Sequence, residues 1–216
     1  MHNVTVAFAA LLVMLLSYFF GCFNGSFMVS HFIIRDDVRK HGSGNAGLTN
    51  FYRTYGAKYA LLVIACDMGK TVAACLLGSF FFRCLGWDGT LGTLLAGLGC
   101  ELGHIFPVFY GFRGGKGILS GGTLLNWRVA AVAWALFLLL WLTTRYVSLA
   151  SITATCSAPI TVYFVYAHNW LYTGLCLAVA ALVVWCHREN IQRLLHGTEK
   201  KFKWHVNPME GKDPPQ

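Results

Sequence analysis

The chain has 216 residues, 56% of them hydrophobic and only 12% charged, with a formal net charge of +8. Its mean hydropathy is +0.54. Soluble domains carry roughly 25% charged residues, so a water-soluble fold of this composition is excluded and a membrane-embedded one expected. The basic residues lie beside apolar runs, without the aromatic interleaving of an RNA-binding surface. That argues against nucleic acid and for bilayer lipids or an anionic substrate as partners. The eight cysteines lack C-x-x-C or metal-type spacing and fall mostly within apolar runs, where they read as small apolar residues.

A bilayer span needs roughly 20 mostly apolar residues. Residues 4–34 supply the first, with Asn24, Ser26 and Ser30 as a polar stripe near its end. It lacks the basic n-region and small-residue cleavage site of a signal peptide, so it is expected to stay as a span. Residues 57–82 supply the second, which carries Asp67 and Lys70 at i, i+3. Charges inside a bilayer pair with each other or serve a site. Residues 90–109 supply the third. The sparsely charged stretch 117–186 has room for two full spans with re-entrant pieces, or for four short ones. The expected fold is all-α, a polytopic membrane bundle of about seven helices, with five as the fallback. Residues 1–203 form one domain in this reading, and 204–216, with three prolines, an exposed tail.

The segments 35–58, 110–128 and 187–216 hold 14 of the 17 Lys and Arg residues. The positive-inside rule then puts all three on the cytoplasmic face, with the N-terminus outside. Each contains a polar, glycine-rich cluster. In the first, Gly42, Gly44 and Gly47 expose backbone N–H groups of the kind that form an anion nest. Ser43, Asn45, Thr49 and Asn50 add neutral polar groups there, and Arg53 a phosphate-matching fork; Thr49 or Asn50 also suits a helix N-cap. In the second, Gly114, Gly115 and Gly117 again present bare backbone, beside Lys116, a point charge for phosphate. His104 and Pro107 end the preceding helix. In the third, His187, Asn190 and Arg193 follow helical spacing, with Gly197 as a helix stop and Glu199 beyond it.

Three coincidences carry no weight. GSGNAG at 42–47 matches a dinucleotide fingerprint without a strand before it. The second cluster is not a P-loop, because Tyr110 and Gly117 replace its first Gly and its Ser/Thr. His31 and Asp36 share the H-x4-D spacing of another acyltransferase class, with no second motif in support.

Taken together, GSGNxGxTNxxR at 42–53, GHxFPxFxxFxGGKG at 103–117 and HxxNxxRLxxGTExK at 187–200 give a chain that resembles the acyl-phosphate:glycerol-3-phosphate acyltransferases, the PlsY family of bacterial inner-membrane enzymes. The D-x-x-K pair at 67–70 also fits. Ala46 stands where that family usually has Pro, Ser120 where Thr is common, and Ser26-Phe27-Met28 where Ser-Ile-Pro is usual. The resemblance implies transfer of a fatty acyl group from acyl phosphate to the sn-1 hydroxyl of glycerol 3-phosphate, in a monomer without metal or cofactor. It further implies roles. Ser43, Asn45 and Arg53 hold a phosphoryl end and stabilise the oxyanion, with Gly44, Thr49 and Asn50 beside them. His104, Gly114, Gly115 and Lys116 hold glycerol 3-phosphate. His187 and Asn190 orient or deprotonate its hydroxyl, and Glu199 braces the loops. A transporter of phosphate or a phosphate ester is the alternative, expected to place its polar groups at the bilayer midplane within an internal repeat.

Overall fold

The computed structural model describes residues 2–117 and 126–204, with side chains from Val4 onward. Nine α-helices follow in order, and no strand occurs among the described residues: α1 (His2–Cys22), α2 (Gly25–Met28), α3 (Leu48–Tyr55), α4 (Ala60–Cys84), α5 (Gly89–Ile105), α6 (Trp127–Thr144), α7 (Val147–Val165), α8 (Trp170–Cys186) and α9 (Arg188–Leu195). A π-helical turn, Val29–Ile34, continues α2. Among the described residues, five segments are long and apolar enough to cross a membrane: Val4–Ile34, Ala60–Cys84, Gly89–Tyr110, Trp127–Thr144 and Val147–Val165. A sixth arises if α8 and α9, bent by 61° at His187, count as one span. Among the described residues the candidate spans therefore number five or six; the expected count of seven is not tested, because residues 118–125 lie outside them.

Asp and Asn fix where several of these helices begin. Asp88, Asn126 and Asn169 accept first-turn N–H groups of α5, α6 and α8. All three caps belong to one end of the bundle, where Tyr166 hydrogen-bonds Asn126 and lies close to Asp88. Gly117 belongs to the other end, since Lys116 beside it reaches Asn190, so the segment 110–128 is divided between the two ends, with Arg128 at the capped one, rather than lying on one face as expected. The residues between Gly117 and Asn126, including Ser120, lie outside the described residues. Gly197, at φ +68°, follows α9 as expected.

The helices pack as two groups. In the first, α5 lies against α1 and α4, and glycine sets the spacing. A β-carbon on Gly99 would strike the Met14 backbone, and one on Gly103 the Tyr18 carbonyl. This G-x-x-x-G pair lets the α1 and α5 backbones touch, which matters in lipid, where close packing rather than the hydrophobic effect drives helix association. In the second, α7 lies between α6 and α8. The groups meet at the capped end through Leu94, Val129, Val162, Tyr172 and Cys176. At the opposite end they meet through the polar clusters.

Candidate functional site

The site begins at the break between α1 and α2. Asn24, fully buried, accepts the Phe27 N–H at 2.9 Å and donates through Nδ2 to the Ala46 carbonyl at 2.8 Å. The loop 41–47 is thereby tied to the membrane-embedded helices. Ala46 in turn donates its N–H to the Gly114 carbonyl at 3.2 Å, joining the first cluster to the second. Proline at this position has no N–H to give, so the bond needs a residue other than proline here.

Beneath the loops lies a buried ionic knot. Lys70 Nζ lies within hydrogen-bond distance of four acceptors that share its three protons: Asp67 Oδ1 at 2.8 Å, the Phe23 carbonyl at 2.9 Å, His104 Nδ1 at 3.0 Å and the Gly21 carbonyl at 3.1 Å. Asp67 also accepts the Gly25 N–H at 2.9 Å. The pair thus satisfies backbone groups freed where α1 stops, which is what makes two buried charges tolerable in lipid. An ammonium only donates, so His104 Nδ1 accepts and its ring proton sits on Nε2. That N–H points at the second loop, where a β-carbon on Gly115 would collide with it.

The second and third clusters meet above. Lys116 Nζ donates to Asn190 Oδ1 at 2.6 Å. Asn190 Nδ2 and Ser148 Oγ both donate to Glu199 Oε1 at 2.7 Å, and Arg193 Nε donates to Oε2 at 2.7 Å. Burial works to raise the Glu199 carboxyl, but the bonds from Asn190, Ser148 and Arg193 outweigh it and hold it below the ordinary carboxylate range. Burial also pushes the Lys116 ammonium down, and Arg193 adds to the shift while Glu189 and Glu199 oppose it. Arg53, from α3, donates through Nη2 to the Lys200 carbonyl at 2.9 Å, bringing the first cluster to the third. At the α8–α9 bend, His187 Nδ1 lies 2.8 Å from the Val183 carbonyl. A carbonyl only accepts, so the proton is on Nδ1 and Nε2 keeps its lone pair. The two histidines therefore hold opposite tautomers: His104 offers an N–H donor at Nε2, His187 an acceptor.

Comparisons with known proteins cover most of the chain. A family model described as glycerol-3-phosphate acyltransferase matches residues 11–197. A glycerol-3-phosphate acyltransferase of Finegoldia magna is 40% identical over 189 residues, covering 86% of this chain and 92% of the relative. One from Syntrophomonas wolfei is 38% identical over 197 residues, covering 90% and 96%. Among solved structures, the glycerol 3-phosphate form of PlsY, an integral membrane glycerol 3-phosphate acyltransferase, has a TM-score of 0.79 at 37% identity, over 90% of this chain and 96% of that one. Its lysophosphatidic acid form gives 0.76 at 36% identity, over 90% and 95%. The chain belongs to the glycerol-3-phosphate acyltransferase family.

Within this acyltransferase the expected site residues separate into two kinds. Lys116, Asn190 and Glu199 are linked directly, Arg53 reaches the residue after Glu199, and His104 and His187 present ring nitrogens as described. Ser43 and Gly44 are exposed at the tip of the first loop; Asn45 and Thr49 are partly exposed beside it. Three other positions have a different physical basis from the one expected. The Asn50 side chain accepts the Ser43 N–H and donates to the Val38 and His41 carbonyls, so it holds the loop's shape. The N–H groups of Gly114 and Gly115 are not bare; they donate to the Ile105 and His104 carbonyls. Glycine is required there because a β-carbon would strike the His104 carbonyl at one position and the His104 ring at the other. The N-cap of α3 is Gly47, with no side-chain cap bond, rather than Thr49 or Asn50.

Sequence reasoning missed Ser148 and Glu101. Ser148 stands in an apolar helix far from any motif. Glu101, buried in α5, places Oε1 where a Gly117 side chain would begin. A lone acid within an apolar run was the available signal.

Proposed function

We propose that the acyltransferase takes its acyl group from a long-chain acyl phosphate and passes it to the sn-1 hydroxyl of glycerol 3-phosphate, yielding lysophosphatidate and inorganic phosphate. The observation that carries this reading is the direct linkage of the three clusters, Ala46 to Gly114, Lys116 to Asn190 and Arg53 to Lys200. It gathers Arg53, Lys116 and Arg193 around two anionic substrates at one end of the bundle.

In this mechanism the hydroxyl oxygen attacks the acyl carbon and the bond from that carbon to the phosphate oxygen breaks. The phosphate leaves with the electron pair, and the hydroxyl proton passes to His187 Nε2 or to a substrate phosphate oxygen. A mixed anhydride carries its own good leaving group, so no covalent enzyme intermediate is needed, and positioning with charge stabilisation suffices. Ser43 and Asn45, with Gly44 and Thr49 beside them, bind the phosphoryl end of the donor, and Arg53 forks onto it. Lys116 and the Nε2–H of His104 hold glycerol 3-phosphate. Asn190 orients the hydroxyl beside His187, and Glu199 fixes Asn190. The acyl chain lies between helices and enters from lipid. The protein is taken to act as a monomer, and the basic loops support an active site facing the cytoplasm at a bacterial inner membrane. The transporter alternative is not favoured, because the site's cations gather at the bundle end.

The test is acyl transfer by purified, detergent-solubilised protein in EDTA, using labelled glycerol 3-phosphate with either palmitoyl phosphate or palmitoyl-CoA. Lysophosphatidate from the phosphate donor alone is the expected result. Product only from the CoA donor overturns the assigned donor.

A further inference from the structure

Beyond Glu199 the chain continues without helix through Lys200–Trp204, a stretch outside the residues that the family model matches. It is fastened on two sides. Toward α3, the Lys200 carbonyl accepts from Arg53 Nη2 at 2.9 Å and the Trp204 carbonyl accepts from the Tyr52 hydroxyl at 2.8 Å. The Phe202 ring stacks on Tyr52 at 5.0 Å and 24°. Toward the α6–α7 turn, Phe202 donates its N–H to the Arg145 carbonyl at 2.7 Å and meets Trp141 edge-on at 5.3 Å. Trp204 packs on Trp141 at 5.2 Å, and the Lys201 ammonium sits 5.4 Å over the Tyr146 ring.

We propose that residues 200–204 act as a strap that holds α3 against the α6–α7 turn and so positions Arg53 for phosphate binding, with Tyr52, Phe202 and Trp204 as positioning residues. The inference rests on the reading of Arg53 as a phosphate ligand. A guanidinium carries five N–H groups in a rigid fork. Anchoring Nη2 to the Lys200 carbonyl fixes the rotation of a long, flexible side chain while the remaining N–H groups stay available to an anion. Pre-ordering of this kind strengthens binding without adding a contact to the ligand. The anchor is itself held from both flanks, by Glu199 in the Ser148–Asn190–Arg193 network and by Phe202 on the Arg145 carbonyl. Without Phe202 and Trp204 the Lys200 carbonyl loses one flank, and Arg53 loses its fixed direction. The strap also joins the two helix groups at the end where the site lies, since Tyr52 and Arg53 stand on one side of it and Trp141 and Tyr146 on the other.

The test is a double-mutant cycle on the full chain in detergent, with Phe202→Ala made in the wild-type and Arg53→Lys backgrounds and Phe202→Tyr as the conservative control. Equilibrium binding of labelled glycerol 3-phosphate and acyl phosphate is read beside kcat and KM, so that slow turnover in Arg53→Lys does not hide the coupling. Phe202→Ala is expected to raise KM and Kd for one phosphate substrate about tenfold, equivalent to ~1.4 kcal/mol, with kcat within about threefold. Phe202→Tyr restores binding, and in Arg53→Lys the further loss from Phe202→Ala stays below about threefold. An equal loss in both backgrounds, a fall in kcat with KM unchanged, or no effect overturns the proposal. Intact binding coupling in a wild-type protein that forms no lysophosphatidate would count against the assigned reaction and leave the strap standing.

Discussion

Two charged networks lie within one site and differ in what they leave over. The knot of Asp67, Lys70 and His104 is enclosed by α1, α4 and α5, and its lysine is surrounded by protein acceptors. The network of Lys116, Asn190, Glu199 and Arg193 ties two loops to the short surface helix α9, and its Arg193 side chain stays 39% exposed. The first consumes its charges in holding the chain together and passes one oriented N–H outward through His104. The second keeps cations where an anion can reach them. Burial thus sorts similar residue types into a scaffold and a binding surface.

Removing one partner of the enclosed pair separates the two roles most sharply. Lys70→Met leaves Asp67 uncompensated and is expected to lower stability by about 3–5 kcal/mol, whereas Lys70→Met with Asp67→Asn recovers most of that loss. Thermal unfolding in detergent reads both; equal damage from the single and double variants would make the knot no more than packing. In the open network the effect falls on activity instead. Lys116→Ala is expected to cut kcat/KM about 100-fold, roughly 2.7 kcal/mol, at little change in melting temperature.

The same lysine predicts a pH signature. Burial depresses its pKa below the ordinary value of 10.5. The charged form proposed to bind phosphate is therefore lost as pH rises through that lowered value, and kcat/KM, which reports the free enzyme, is expected to fall earlier on the alkaline side than an ordinary lysine allows. Lys116→Arg should move this limb upward, and an unmoved limb would assign it to another group. The smallest effect is expected from Ser148→Ala, which removes one of three partners of Glu199. A loss of about 1 kcal/mol, or several-fold in kcat/KM, fits a brace with two remaining supports. A loss as large as that from Lys116→Ala would instead put Ser148 in contact with substrate.

Much of this was legible beforehand, for identifiable reasons. Apolar runs of about 20 residues read as spans because a bilayer demands them. The clusters read as phosphate sites because glycine, amide and guanidinium groups are rare beside lipid without a purpose. What misled was glycine itself. At 114 and 115 it marks close approach to His104 rather than free N–H groups, and a sequence carries no sign of which applies. Trp204 was placed in the tail, yet it packs on Trp141; residues 205–216 lie outside the described residues.

The sequence by itself determined a helical membrane acyltransferase and the residue types from which its site is built, because span length, charge placement and three ordered motifs are local properties of the chain. Only the tertiary structure decided that His104 donates and His187 accepts, that Asn50 shapes a loop, and that Ser148 and the 200–204 segment support Glu199 and Arg53. Each of those depends on a partner brought near by folding, and a hydrogen bond takes its direction from both groups.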